Sequence, residues 1–351
     1  MPSLSQLRRQ LAASLKGKRL LYLDLLYWNH LCDTALNPSS SDERSALLAS
    51  LRLHVRSGSV VCPIEFTTFL ELHKQRLLDK RRLTAELIDE LSTGLVIISP
   101  PERCFLEAIR FVQSGQGGDE APVAPREDVW TRPAFVVGHG ELVSKTMKAD
   151  DLERLQDLLR DRLWGMGFTN VLQQFGADFV VSFEWAERAA QQMNEAKQDV
   201  RANVATYREA YLGEVRGFVS AYIDSFGDAM VHLYERAGGN AAGVSDAERA
   251  RSGEELALLV AAAFEKHDLS KQLPTVHISA ALHASANWDT GRRYKANDIQ
   301  DFGHAAAALG YCDAFATERS LANLIRQSRL HTIYPTQVMA SVSEVLGWLG
   351  A

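Results

Sequence analysis

The sequence predicts an α/β protein with a central parallel sheet covered on both sides, together with a mostly helical middle region. Near both ends of the chain, short apolar runs bounded by polar or turn residues alternate with helical patterns. Between residues 127 and 272 the pattern is almost entirely helical. Because alternating strands and helices form parallel sheets with two covered faces, we expect the two ends to build one three-layer α/β/α unit.

Composition limits the classes of function. The chain has 351 residues, is 46% hydrophobic and carries a net charge of −6, so contact with nucleic acid must be local. No apolar run reaches the roughly 18 residues of a membrane helix, and no secretory signal is visible, so we expect no membrane association. The cysteines lie singly, without zinc spacing, which predicts reduced thiols and a cytoplasmic location. They are Cys32, Cys62, Cys104 and Cys312.

Three buried strands are predicted in the first hundred residues, at positions 20–23, 59–62 and 95–98. Asp24 ends the first strand. An acid at the carboxyl end of a parallel strand lies where open α/β sheets bind their ligands. The alternative is that Asp24 only caps the helix that follows it.

The helices after these strands contain further acids. Glu71 lies on an apolar helix face, and an unpaired buried carboxylate is costly, so it needs a cationic partner or a metal. Glu65 is an alternative nearer the helix start, where the helix dipole alone would explain it. Glu107, in the helix after the third strand, could join the group, although a solvated position is favoured.

A segment rich in glycine and proline at 114–126 predicts a domain boundary. We therefore divide the chain into the N-terminal half of the α/β unit (1–115), a helical insertion (116–272) and the C-terminal half (273–351). No residue of the insertion suggests catalysis. It could recognise substrate or bind a protein partner.

The C-terminal part concentrates acids in a short stretch. Asp298 and Asp301 fall near one face of the first turn of a predicted helix. A short buried strand at 313–317 then delivers Glu318 just past its end, and residues 331–334 predict a last strand.

Such carboxylates are hard oxygen ligands that select magnesium or manganese, and their mutual repulsion favours a bound cation. The chemistry that this arrangement serves best is metal-assisted displacement at phosphorus. The predicted metal ligands are Asp24, Asp298, Asp301 and Asp313, and the predicted catalytic acids are Asp24, Glu71, Asp301 and Glu318.

Basic residues adjoin the acids. Arg292, Arg293 and Lys295 immediately precede the acidic stretch and could hold the phosphates that flank the cleaved bond. A second basic cluster lies on the helix at 74–82. A charge run is usually a solvated face, and this explanation is favoured for the second cluster.

The acids resemble, in order and context, those of the PIN domains, a family of metal-dependent nucleases. The matching segments are Tyr22-Leu23-Asp24, Phe69-Leu70-Glu71-Leu72, Asp301 with its alanine-rich helix, and Ala316-Thr317-Glu318-Arg319. They cover about the first hundred and the last eighty residues. The fourth acid departs from the pattern, because Glu318 stands in place of an Asp slightly further on.

The resemblance implies a PIN-like fold with a large helical insertion and an endonuclease that uses Mg²⁺ or Mn²⁺. It implies cleavage of RNA, or less often DNA, leaving a 5′-phosphate. The family includes toxin ribonucleases, so an antitoxin could bind the insertion. Residue types alone do not choose between RNA and DNA.

Other functions stay open. An inactive PIN-like scaffold could act as a binding module through its helical insertion. A phosphatase is a further alternative, but no GxxxxGK phosphate loop is present. Arg326 and His331 loosely match the motif of metal-independent HEPN ribonucleases. His304 could be a ligand or general base, although a packed helix histidine is favoured.

Overall fold

The computed structural model describes residues 3–37, 42–115, 127–137, 142, 144, 146–176, 179 and 181–351, without the side chains of 149 and 198–203. The predicted boundary at residue 116 lies outside the described residues. In the described part of the chain, no helix combines the length and apolarity that crossing a membrane requires.

The chain is a mixed α/β protein, mostly helical, with a four-stranded parallel sheet. The strands are β1 Arg19–Leu23, β2 Val60–Val61, β3 Val96–Ile97, β4 Trp130–Thr131, β5 Ala314–Ala316 and β6 Gln337–Met339. The order of the main sheet is β2-β1-β5-β6, and every pair in it is parallel. A parallel bridge between Ile64 and Val96 places β3 beside the end of β2, and β4 pairs antiparallel with β3.

Helices fill the intervals between the strands. Their bounds are α1 Leu4–Ala13, α2 Leu25–Leu36, α3 Glu43–Arg56, α4 Phe66–Leu72, α5 Leu78–Ser92, α6 Pro100–Ser114, α7 Pro133–Val136, α8 Ala149–Trp164, α9 Phe168–Gln174, α10 Glu184–Asn203, α11 Tyr207–Ala221, α12 Ile223–Arg236, α13 Asp246–Lys266, α14 Pro274–Trp288, α15 Asp298–Tyr311, α16 Arg319–Gln327, α17 Leu330–Ile333 and α18 Val342–Gly350. A short 3₁₀ turn spans Ala241–Gly243.

The predicted strand at 331–334 is wrong. The segment forms the short helix α17, and the last strand comes after Pro335. Leu330 and Tyr334 are both buried, whereas His331 is exposed. Burial four residues apart is a helical period, and over so short a segment it is easily mistaken for an apolar strand.

Successive residues of β1 enter different apolar clusters. Leu20 and Tyr22 pack in one cluster with α14 and α15, and Leu21 and Leu23 pack in another with α2, α3 and α5. This alternation is the consequence of the strand's two-residue period. Both faces of the sheet are therefore covered by apolar packing.

Helices of the predicted insertion share these buried clusters. Phe168 and Val171 of α9 pack in the same cluster as Leu21 and Leu23. Helices α11, α12 and α13 form a third cluster together with α6 and α14, which includes Phe226. The middle region is thus joined to the sheet through extensive apolar packing.

Two glycines allow α12 and α13 to approach closely. A Cβ on Gly253 would overlap the carbonyl oxygen of Ile223, and one on Gly227 would lie 2.6 Å from the carbonyl oxygen of Arg249.

We expect Gly253→Ala to lower the free energy of unfolding by about 2 kcal/mol, as overpacking does. Gly217→Ala is the control, because a Cβ there meets open space on α11 and should stabilise by up to about 1 kcal/mol. Equal urea midpoints for the two variants would contradict this close packing.

Candidate active site

Asp24 lies at the carboxyl end of β1 and is 6% exposed. Its Oδ1 accepts a hydrogen bond from the Tyr27 backbone N–H at 3.3 Å, which caps α2, and its Oδ2 accepts from the Glu318 backbone N–H at 3.2 Å. The backbone N–H of Asp24 donates to the Ala316 carbonyl oxygen at 3.1 Å. Asp24 therefore caps a helix and also lies where β1 and β5 end together.

Asp301 brings the predicted catalytic acids into one electrostatic group. Burial in the first turn of α15 is the largest cause that raises its pKa, to about 7. The charge of His304 opposes this rise, whereas the charges of Glu71, Glu318 and Asp24 add to it. Each of these three acids is therefore close enough to destabilise the ionised Asp301.

The pKa of Asp24 is also raised, to about 6. Burial is the largest cause; the Thr317 hydroxyl and the charge of His304 lower the pKa, and the charge of Glu71 raises it. The positive charge and hydrogen bonds around Asp24 and Asp301 thus do not fully offset the effects of burial and of the neighbouring acids. A bound cation would favour the ionised form of both Asp24 and Asp301.

Glu71 finds the cationic partner that its burial requires. Its Oε2 lies 2.8 Å from Nε2 of the buried His304, and its Oε1 lies 3.7 Å from Nζ of Lys74. Nδ1 of His304 lies 2.6 Å from the Tyr22 hydroxyl. Burial lowers the pKa of His304. The hydrogen bond and charge of Glu71 and the charge of Glu65 outweigh this effect and raise the pKa to about 9. These acids therefore favour the protonated form of the buried His304, which is more than a packed histidine.

Next to this histidine lies an ion pair that the sequence pattern did not predict. Arg103 Nη1 is 3.4 Å from Glu65 Oε2, both side chains are completely buried, and Nη1 also donates to the Ile98 carbonyl oxygen at 3.1 Å. Glu65 Oε1 caps α4 by accepting from Thr67 N–H at 3.3 Å and lies 3.8 Å from His304 Nδ1. Only the apolar neighbours Cys104 and Phe105 hinted that Arg103 would be buried.

Glu107 is not a solvated helix residue. It is 2% exposed and accepts hydrogen bonds from the Thr275 hydroxyl and the Tyr311 hydroxyl, both at 2.5 Å. Burial raises its pKa to about 7, with these hydroxyls and Arg103 opposing the rise. Glu107 fastens α6 to α14 and α15.

Of the predicted metal ligands, Asp298 is held by its own loop, and Asp313 lies at the opposite end of the sheet from Asp24. Asp298 closes the preceding loop, because its Oδ1 accepts from Arg292 Nη2 at 2.6 Å and its Oδ2 from Lys295 N–H at 2.8 Å. Asp313 precedes β5 and accepts from Leu20 N–H at 2.8 Å. Leu20 stands four residues before Asp24 in β1, which places Asp313 about 13 Å away along the sheet.

The predicted phosphate-binding cations differ in availability. Arg292 pairs with Asp298, but Arg293 and Lys295 are exposed and form no ion pair within the described residues. In the second basic cluster, Lys80 pairs with Asp33 of α2 at 2.7 Å, Arg82 pairs with Glu86 at 2.9 Å, and Lys74 pairs with Glu71. The prediction of a solvated face on one helix is wrong in part, because positions 74–77 connect α4 to α5 and Arg81 is buried, where it donates to the Gln75 carbonyl oxygen.

Within the described part of the chain, no three His, Cys, Asp or Glu side chains are arranged so that together they could hold a metal ion. The donor chemistry nevertheless fits Mg²⁺ or Mn²⁺, because Asp24 and Asp301 are hard oxygen donors. The pKa values of both are raised, so nearby positive charge does not fully balance their ionised forms. Glu71 is already paired with His304.

Comparison of the chain with protein-family models, with curated proteins and with solved structures gave no match.

Proposed function

We propose that the protein is a metal-dependent endonuclease that hydrolyses phosphodiester bonds, with RNA favoured as its substrate. The observation that carries the proposal is the electrostatic grouping of Asp24, Glu71, Asp301 and Glu318, with raised pKa values at Asp24 and Asp301. Carboxylates that repel one another do not stabilise the fold when they are held close together. Such an arrangement is typical of functional sites.

We propose a PIN-like three-layer arrangement for the α/β part. Apolar packing on both faces of the sheet supports it. The acids also occur in the order of the resemblance: after β1, within α4, in the first turn of α15 and after β5.

In this proposal Asp24 and Asp301 would hold Mg²⁺ or Mn²⁺, which supplies water activation and stabilises charge on the phosphate. The Glu318 N–H and the Tyr27 N–H hold the Asp24 carboxylate in place. His304 fixes Glu71 through its Nε2, so that the carboxylate can accept a hydrogen bond from the attacking water. Glu318 is exposed at the N-cap of α16, and its carboxylate contributes charge at the site's edge.

The test is cleavage of labelled single-stranded RNA, structured RNA and DNA with Mn²⁺, with and without chelator. Wild-type protein should cleave at least one polymer, and the chelator should abolish cleavage. Asp24→Asn should be about 100-fold slower, because the amide removes the charge but keeps the helix cap and one ligand oxygen.

Asp313→Asn is the control, since this acid lies at the other end of the sheet, and it should cleave like the wild type. Full activity of Asp24→Asn, or activity that survives chelation, would refute the metal-nuclease proposal. Absence of cleavage together with tight binding of a polymer would instead favour the binding-module alternative.

A further inference from the structure

Helix α10 contacts the loop that carries the basic residues, at positions 289–297. The buried Lys197 directs Nζ at three backbone carbonyl oxygens: Ala286 at 2.7 Å, Asp289 at 2.6 Å and Arg292 at 2.6 Å. An ammonium group has three N–H donors, and three carbonyl oxygens lie within hydrogen-bond distance of it here. Because a buried ammonium is costly without such partners, Lys197 holds the end of α14 and the start of the loop in one geometry.

Asn194, one helical turn earlier, fixes the next part of the loop. Its Nδ2 donates to the Tyr294 carbonyl oxygen at 2.9 Å, and its Oδ1 accepts from the Tyr294 N–H at 2.8 Å. The Tyr294 hydroxyl also donates to the His283 carbonyl oxygen at 3.0 Å. The backbone on both sides of Arg293 is therefore held by side chains of α10.

The far end of the loop is fixed by Asp298, which binds Arg292 and the Lys295 N–H. Thus the backbone from 289 to 298 is tied at several points, while the side chains of Arg293 and Lys295 stay exposed. Helix α15 begins directly after this loop, and Asp301 lies in its first turn. A fixed backbone lowers the entropy that cationic side chains lose when they bind a phosphate chain.

We propose that α10 is a clamp that presents Arg293 and Lys295 to the phosphate backbone of a single-stranded nucleic acid, with Asn194 and Lys197 as positioning residues. This deepens the proposed function, on which it rests, by assigning one helix of the middle region a part in substrate binding. Asn194 is the informative residue because it carries no charge, so any effect of its loss on phosphate binding must act through the loop.

The experiment measures binding of a labelled 12-nucleotide RNA, and of DNA of the same sequence, by fluorescence anisotropy in EDTA at several salt concentrations. Arg293→Ala/Lys295→Ala should bind about tenfold more weakly, with the salt slope reduced by about 1.4, as expected for two lost contacts to a single strand. Asn194→Ala should weaken binding about fivefold. Adding Asn194→Ala to the double variant should cause little further loss, since the two act through one element.

Arg236→Ala, which removes an exposed cation of α12, is the control and should bind like the wild type. Thermal melts establish which variants are folded. If the Asn194→Ala protein is unfolded, Lys197→Met is used in its place. The inference is overturned if Asn194→Ala and Lys197→Met bind like the wild type, if the Asn194 effect adds fully to that of the double variant, or if neither polymer binds. Since EDTA removes metal, these results are independent of the cleavage assay, which alone decides the proposed function. The RNA and DNA arms identify the polymer.

Discussion

His304→Ala is expected to lower the free energy of unfolding by about 3–5 kcal/mol at pH 7, the usual cost of removing one partner from a buried ion pair. The substitution would leave Glu71 without its 2.8 Å contact and would remove the imidazole nitrogen that lies 3.8 Å from Glu65. It would also deprive the Tyr22 hydroxyl of its partner. Urea unfolding followed by circular dichroism measures the change.

A double variant and pH separate the ion pair from simple loss of packing. His304→Ala/Glu71→Gln should recover part of the stability, because the uncompensated carboxylate is gone. The folded pKa of His304 is raised from 6.5 to about 9, so its charge stabilises the protein fully below pH 6.5, and this contribution is lost as pH rises through about 9. The gap between wild type and His304→Ala should therefore narrow from pH 6.5 to 9.5. A constant gap would assign the effect to packing alone.

The double variant Asp24→Asn/Asp301→Asn is expected to lose about 10³-fold in metal-dependent cleavage yet to be more stable than the wild type in EDTA at pH 8. Both carboxyl groups have raised pKa values, about 6 and about 7, so they favour the fold when protonated and destabilise it once ionised. For the wild type, stability should fall as pH rises from about 4 through 7. Removing both charges should raise the free energy of unfolding at pH 8 by about 1–3 kcal/mol, with the lower end favoured because Asp301 is partly exposed.

Thermal melts at pH 5 and pH 8 test this, since the stabilisation should be larger at pH 8. Mn²⁺ should raise the melting temperature of the wild type and of Asp313→Asn but not that of the double variant. The stability difference between the double variant and the wild type should be larger at pH 8 than at pH 5. A smaller difference at pH 8 would contradict the electrostatic grouping of these acids. An equal Mn²⁺ response in all three proteins would place the metal elsewhere.

The local pattern predicted part of the fold well. The apolar runs before Asp24 and before Thr317 form β1 and β5, and the helical period after Asp298 forms α15. These elements are determined by sequence neighbours, because apolar strands and amphipathic helices have different periods. Short elements were less certain. The strand β4 was not predicted, since two residues are too few to show a period.

The sequence by itself therefore determined the α/β class, the elements that carry Asp24 and Asp301, and the acidic character of the site. Only the tertiary structure decided which charges meet. His304 and Glu71 are 233 residues apart in the chain, and Glu65, which caps α4, pairs with Arg103 of α6. It also separated Asp313 from the site, because the end of a strand at which an acid lies depends on the register of the sheet. Residue spacing records periodicity along one element, whereas ion pairs between elements depend on how those elements pack.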